Sequence, residues 1–252
     1  MSRERLDRLV VERGLATTRA QAQALLLGGR IRVGAGDGAR TDRKPGDLVD
    51  SGVELESITR AAFVSRGGEK LAAALDAFGV DPAGRVCLDV GASTGGFTDC
   101  LLQRGASRVY ALDVGRGQLA ESLRADPRVV SLERTHAARL DPAAADPLAL
   151  PERASLVTID VSFISLTRIL MAVLAWLAPG GDIVALVKPQ FESTPREVPG
   201  GVVRDPAVRQ AAVTRVREHA LGLGLVARGE IESPLVGPAG NHEFFLHLAV
   251  AP

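Results

Sequence analysis

From Phe63 onward, apolar runs of strand length alternate with stretches of helical length, and this alternation restricts the fold more than any other feature. The strand-like runs are Val86 to Val90, Val109 to Val114, Val129 to Leu132, Leu156 to Val161, Ile183 to Val187, Leu225 to Glu230 and Glu243 to Val250. Helical stretches separate them at Lys70 to Phe78, Phe97 to Arg104, Leu119 to Ala125, Leu166 to Leu177 and Ala207 to Leu221. Such a chain buries both faces of a mostly parallel sheet under helices, which makes the class α/β. The last two strands are expected to pair antiparallel at one edge.

Residues 1–59 follow a different pattern, predict a small α+β domain, and lead through a linker at 60–64 into the large domain at 65–252. Leu6, Leu9, Val10 and Leu15 mark a short amphipathic helix ended by Gly14, and Thr17 or Thr18 can cap a second over Arg19 to Leu27, stopped by Gly28 and Gly29. Short strands are expected at Ile31 to Val33 and Leu48 to Leu55. Residues 1–35 carry seven arginines against three acids, a local excess of +4. Arg3, Arg5, Arg19, Arg30 and Arg32 could form a phosphate-binding face; a solvated helical surface accounts for the charges equally well.

Composition excludes several classes. At 252 residues with 46% hydrophobic content, the chain has material for a sizeable core. Its longest apolar run, Ile169 to Ala178, is about half a membrane span. Met1 to Arg13 holds four arginines and three acids, which is no secretory signal. Cys87 and Cys100 form neither a disulfide framework nor a metal-ligand cluster, so no metal is expected and a reducing cytoplasm is the natural compartment. A monomer is the default. Of the 30 basic residues only Lys44, Lys70 and Lys188 are lysine, the one cation of the two whose proton can be tuned for chemistry.

The first strand of the large domain runs into Asp89-Val90-Gly91-Ala92-Ser93-Thr94-Gly95-Gly96-Phe97 and then a helix. The spacing fits neither the dinucleotide G-x-G-x-x-G nor a phosphate loop. It does fit a loop that wraps the methionine part of S-adenosylmethionine. Asp113 and Val114 end the second strand about twenty residues later, where a carboxylate can accept from both ribose hydroxyls. A glycine turn with an incidental aspartate would look alike. Glu133 and His136 follow the third strand, where adenine contacts often lie, although His136 also suits a plain loop.

Asp160 and Lys188 each follow an apolar strand, Lys70 starts a helix after Ser65-Arg66-Gly67-Gly68, and Glu243 opens the last strand. A lysine at an apolar strand end needs a carboxylate beside it, either as a structural ion pair or as a working group. Methylating a ribose hydroxyl requires a group that takes or shields its proton during in-line attack on a sulfonium methyl, and Lys188 suits that task.

Five blocks in order then resemble the TlyA family of bacterial ribosomal-RNA 2′-O-methyltransferases, historically called hemolysins. They are Val64-Ser65-Arg66-Gly67, Asp89 to Thr98, Asp160 to Leu166, Val187 to Glu192, and Gly240-Asn241-His242-Glu243. The resemblance implies a Rossmann-like, seven-stranded class I methyltransferase sheet of the FtsJ type, with an RNA-binding module like that of small-subunit ribosomal protein four at the amino end. It places a Lys-Asp-Lys-Glu tetrad on Lys70, Asp160, Lys188 and Glu243, with Arg66 on the RNA side. It also implies S-adenosylmethionine as cofactor and a cytidine 2′-hydroxyl in ribosomal RNA or ribosomal subunits as substrate. The family's interdomain Arg-x-Trp-Val becomes Ala61-Ala62-Phe63-Val64 here, without its basic residue. Two rival readings are a membrane-active hemolysin and an inactive RNA-binding scaffold; the lack of a spanning segment and the intact tetrad weigh against them.

Overall fold

The computed structural model describes residues 3–27, 29–57, 62–237 and 239–250. The chain divides into two compact units, Met1–Ala61 and Ala62–Pro252. Gly28 of the expected helix stop and residues 60 and 61 of the expected linker lie outside the described residues.

In the first unit, α1 (Leu6–Glu12) and α2 (Arg19–Leu27) bury Leu6, Leu9, Val10, Ala22 and Leu26 against Ile31, Val33 and Val49. Four short strands, β1 (Arg3–Arg5), β2 (Ile31–Val33), β3 (Leu48–Asp50) and β4 (Leu55–Ser57), pair antiparallel as β1 with β3 and β2 with β4. The single strand expected over Leu48 to Leu55 is broken because Asp50 Oδ1 accepts from the Gly52 N–H at 2.8 Å and turns the chain. Strand β1 carries no apolar alternation that would announce it.

The second unit holds α3 (Arg66–Phe78), β5 (Val86–Val90), α4 (Gly96–Gln103), β6 (Arg108–Leu112), α5 (Glu121–Arg124), β7 (Val129–Leu132), β8 (Ala154–Ile159), α6 (Leu170–Leu174), β9 (Leu177–Val187), α7 (Pro189–Glu192), α8 (Pro206–Gly222), β10 (Leu225–Glu232) and β11 (Phe244–Val250). Its seven strands lie in the order β10-β11-β9-β8-β5-β6-β7. All neighbours are parallel except that β11 runs antiparallel to both β10 and β9. Alternation along β5 sends Leu88 and Val90 into one core layer and Cys87 into the other.

One expected helix is much reduced. Leu166 to Leu177 becomes a 3-10 turn at Leu166–Arg168 and the short α6, because Leu177 is taken into β9 opposite Ala154. From β5 the chain winds outward through β6 and β7, then returns to the other side of β5 as β8. That reversal leaves a crevice above the ends of β5 and β8, the place where open α/β sheets take their ligands.

Candidate active site

The loop leaving β5 and the chain leaving β8 meet in this crevice. Asp160 N–H donates to the Val90 carbonyl at 2.9 Å, and the Gly91 and Ala92 N–H groups both donate to Leu112 O. Gly91 has φ +90, and a Cβ there would stand 2.2 Å from the Asp160 carbonyl oxygen. Only glycine lets the two strand ends approach this closely.

A cavity of about 300 Å³ opens above them, lined by Ser65, Arg66 and Gly67, by Gly91 to Thr94 with Gly96 and Phe97, and by Lys70, Asp160, Ser162, Lys188 and Glu243. The four polar residues marked at strand and helix ends are thus brought to one wall, as two ion pairs. Lys70 Nζ donates to Glu243 Oε2 at 2.5 Å, with both residues buried. Lys188 Nζ stands 2.5 Å from Asp160 Oδ1 and donates to Ser162 Oγ at 3.1 Å. The Asp160 contact lies off the hydrogen-bond axis, so Oδ1 keeps no hydrogen-bond partner among the described residues. The Lys188 side chain balances that oxygen through charge rather than through a hydrogen bond.

A smaller hollow beside this cavity is lined by Ala92, Ser93, Asp113, Gly115, Gln118, Leu119 and Glu133 among others. Asp113 accepts the Ser93 N–H on Oδ2 at 2.8 Å and the Gly115 N–H on Oδ1 at 2.6 Å. Each oxygen retains a second lone pair, which suits two ligand hydroxyls. Glu133 is paired with Arg124 at 2.9 Å.

Other residues marked from sequence lie elsewhere. Asp89 is fully buried beneath the loop, accepting from Thr98 and Thr158 hydroxyls at 2.7 and 3.0 Å and tying β5 to α4 and β8. Burial pushes its carboxyl up to about 7, against the pull of those two hydroxyls. Gly95 lines neither space; a Cβ there would meet Leu123 at 2.2 Å. Val114 is exposed and His136 caps the 3-10 turn Ala137–Leu140, its Nδ1 accepting from Ala138 N–H at 3.1 Å; neither lines the two spaces.

In the first unit, buried Asp7 gathers Arg5 at 3.0 Å and Arg19 at 2.9 Å while leaving both guanidinium groups about half exposed. Those contacts hold its carboxyl well below the usual range. Arg32 pairs with Glu56, whereas Arg3 and Arg30 are exposed without an ion pair among the described residues.

Three functional candidates carried no sequence signal strong enough to single them out. Gln118 joins Asp113 in the hollow, and Ser162 touches Lys188. The third, Phe163, is 91% exposed with φ 65, a left-handed backbone that costs a bulky side chain roughly 1–3 kcal/mol. Its ring leans on Phe191 at 5.1 Å, and both rings line a second hollow with Arg168 and Gln190.

The arrangement has clear relatives. Residues 63–250 match the model of the FtsJ-like methyltransferases and residues 4–34 that of the S4 domain. The chain is 49% identical to the 16S/23S rRNA (cytidine-2'-O)-methyltransferase TlyA of Mycobacterium tuberculosis, over 98% of this chain and 90% of that one. It is 46% identical to YqxC of Bacillus subtilis, provisionally named an rRNA methyltransferase, over 98% and 85%. A solved hemolysin-named protein from Streptococcus thermophilus superposes with a TM-score of 0.72 at 41% identity, covering 100% of this chain and 90% of its own. A family model spanning most of the chain and near-full-length relatives of such identity leave one assignment: the chain belongs to the TlyA family of FtsJ-like methyltransferases.

Proposed function

We propose that this protein transfers a methyl group from S-adenosylmethionine to the 2′-oxygen of a cytidine in large-subunit ribosomal RNA. The Mycobacterium tuberculosis relative is named for both ribosomal RNAs, so small-subunit RNA is the second substrate to test. One observation carries the reading: the Lys70–Glu243 and Lys188–Asp160 pairs line the same cavity as the glycine loop.

The residues present fit the proposed donor. Asp113 has lone pairs left for ribose hydroxyls, and Gly91 admits the loop against β8. The donor, when bound, supplies an electrophilic methyl on a sulfonium. The protein's own part is to hold the RNA hydroxyl and manage its proton. Lys188 donates one N–H to Ser162 and stands against Asp160 without a hydrogen bond to it, so its amine can face the 2′-hydroxyl and take its proton, with Asp160 balancing the charge that results. Taking or shielding that proton raises the oxygen's nucleophilicity, while fixed placement of both reactants removes much of the entropic barrier. Buried Glu243 holds the Lys70 side chain in place, so a second Lys–carboxylate pair lines the cavity where the oxygen reacts.

RNA would be gathered by Arg3, Arg5, Arg19, Arg30 and Arg32 of the first unit and by Arg66 at the cavity, with exposed Phe163 offering a ring for a base to stack on. No helix among the described residues is long and apolar enough to cross a membrane. A cytoplasmic enzyme acting on ribosomal particles or their RNA, as a monomer, is the matching setting. Tritium transfer from labelled S-adenosylmethionine into ribosomal RNA tests the reading: the wild type labels RNA and Lys188→Ala does not, while still binding the cofactor. Unlabelled RNA with the wild type, or full labelling with Lys188→Ala, contradicts it.

A further inference from the structure

Two short segments of the motif blocks are stitched together in register beside the tetrad. Lys188 donates to Ser162 at 3.1 Å, Phe191 packs against Phe163 at 5.1 Å, and Glu192 accepts from Ser165 Oγ at 2.5 Å and from the Leu166 N–H at 2.8 Å. Glu192 is itself buried and lines none of the three hollows around the site. Arg215 on α8 donates to its backbone carbonyl, anchoring this end of the stitch to the helical layer. The loop so fastened carries Ser162, the hydroxyl on Lys188, and Phe163, held in a left-handed backbone with its ring almost wholly in solvent. An exposed phenyl ring gains nothing from such strain by itself, so something outside the ring must hold the loop.

We propose that Glu192 is a positioning residue for methyl transfer. Its carboxylate fixes the loop 162–166 so that Ser162 stays on Lys188 and Phe163 stays presented to the RNA. The inference rests on the proposed transfer to RNA. It also separates Glu192 from a mere cap of the 3-10 turn Leu166–Arg168, whose loss would lower stability without passing through Phe163.

The test uses the full chain and tritium transfer into ribosomal RNA, with melting points and cofactor affinity measured alongside. Glu192→Ala should lower kcat/KM for RNA by about tenfold or more, since small misplacements at a reacting centre cost that much, with cofactor affinity unchanged. Glu192→Gln, which still accepts from Leu166 and lets the Ser165 hydroxyl turn to accept, should recover most of the loss. Ser165→Ala removes the hydroxyl that donates to Glu192, together with its contacts to Thr167, leaves the Leu166 N–H bond, and should give an intermediate loss, which keeps the test open should Glu192→Ala not fold. Because Glu192 acts through the loop that presents Phe163, the Glu192→Ala/Phe163→Ala double variant should lose at least about fivefold less than the product of the single losses, as coupled neighbours do. Losses that multiply, or a Glu192→Ala defect that matches its fall in melting point and is not recovered by Gln, would overturn the proposal. A wild type that transfers no methyl removes the functional reading and this proposal together; an active wild type with multiplying losses removes this proposal alone.

Discussion

Gly91 and Asp160 touch through their backbones: a Cβ on Gly91 would come within 2.2 Å of the Asp160 carbonyl oxygen. The glycine loop and the tetrad are therefore one construction, and the loop cannot shift without moving the residue that pairs with Lys188.

Gly91→Ala should accordingly cost more than its backbone angle alone. Gly84 also has a left-handed φ, +72, but open space around its Cβ position. Gly84→Ala is expected to cost about 1 kcal/mol from the backbone alone. Gly91→Ala should cost several times that or lose cofactor affinity outright. Denaturant unfolding and calorimetric titration with S-adenosylmethionine would distinguish them, and equal effects would disprove the close-approach argument.

The Lys70–Glu243 pair makes a second prediction. Glu243→Ala strands a buried ammonium and should destabilise the fold by about 3–5 kcal/mol. Replacing both partners, as Lys70→Met with Glu243→Leu, should restore most of that stability while methyl transfer stays lost. Recovery of activity together with stability would reduce the pair to a structural tie.

Asp89 sets a pH dependence. Its carboxyl is raised to about 7 by burial, so the folded state holds the proton more tightly than the unfolded state. The contribution is most favourable below the ordinary carboxylate range near pH 4, is lost as pH rises towards 7, and is level above that. Relative to Asp89→Asn, the wild type should therefore lose stability between about pH 4 and pH 7, by a few kcal/mol at most. Urea unfolding of both proteins across that range checks the sign, and a difference that stays flat excludes the raised value.

The arginines of the first unit predict a salt effect. Arg30→Glu should weaken RNA binding and make the salt dependence shallower by about one unit of slope. Asp7→Asn should loosen Arg5 and Arg19 at once, because that carboxylate holds both. Filter binding at several salt concentrations measures each, and an unchanged slope for Arg30→Glu would place the RNA face elsewhere.

Much of this architecture was legible because alternation along the strands is strong. Asp160 and Lys188 stand out as polar residues at the ends of long apolar runs, and Asp113 as the acid closing a strand. Asp89 shows the limit of that reasoning. It belongs to the loop motif in sequence, yet strand alternation turns it beneath the loop, towards Thr98 and Thr158. His136, which suits an adenine contact or a plain loop alike in sequence, accepts a turn amide in the structure. Phe163 and Glu192 lay inside quoted motif blocks without a role, because a left-handed backbone and a contact across 27 residues leave no local pattern. The helix expected through Leu177 failed for the same reason: pairing with Ala154 outweighs local helical preference.

The central claim is that the cavity delivers a methyl group to a cytidine 2′-oxygen, and nucleoside mass spectrometry measures that product directly. Ribosomal RNA incubated with the wild type and S-adenosylmethionine, then digested to nucleosides, should contain newly formed 2′-O-methylcytidine, absent with Lys188→Ala. Methyl groups found only on bases, or on no nucleoside at all, would contradict the account.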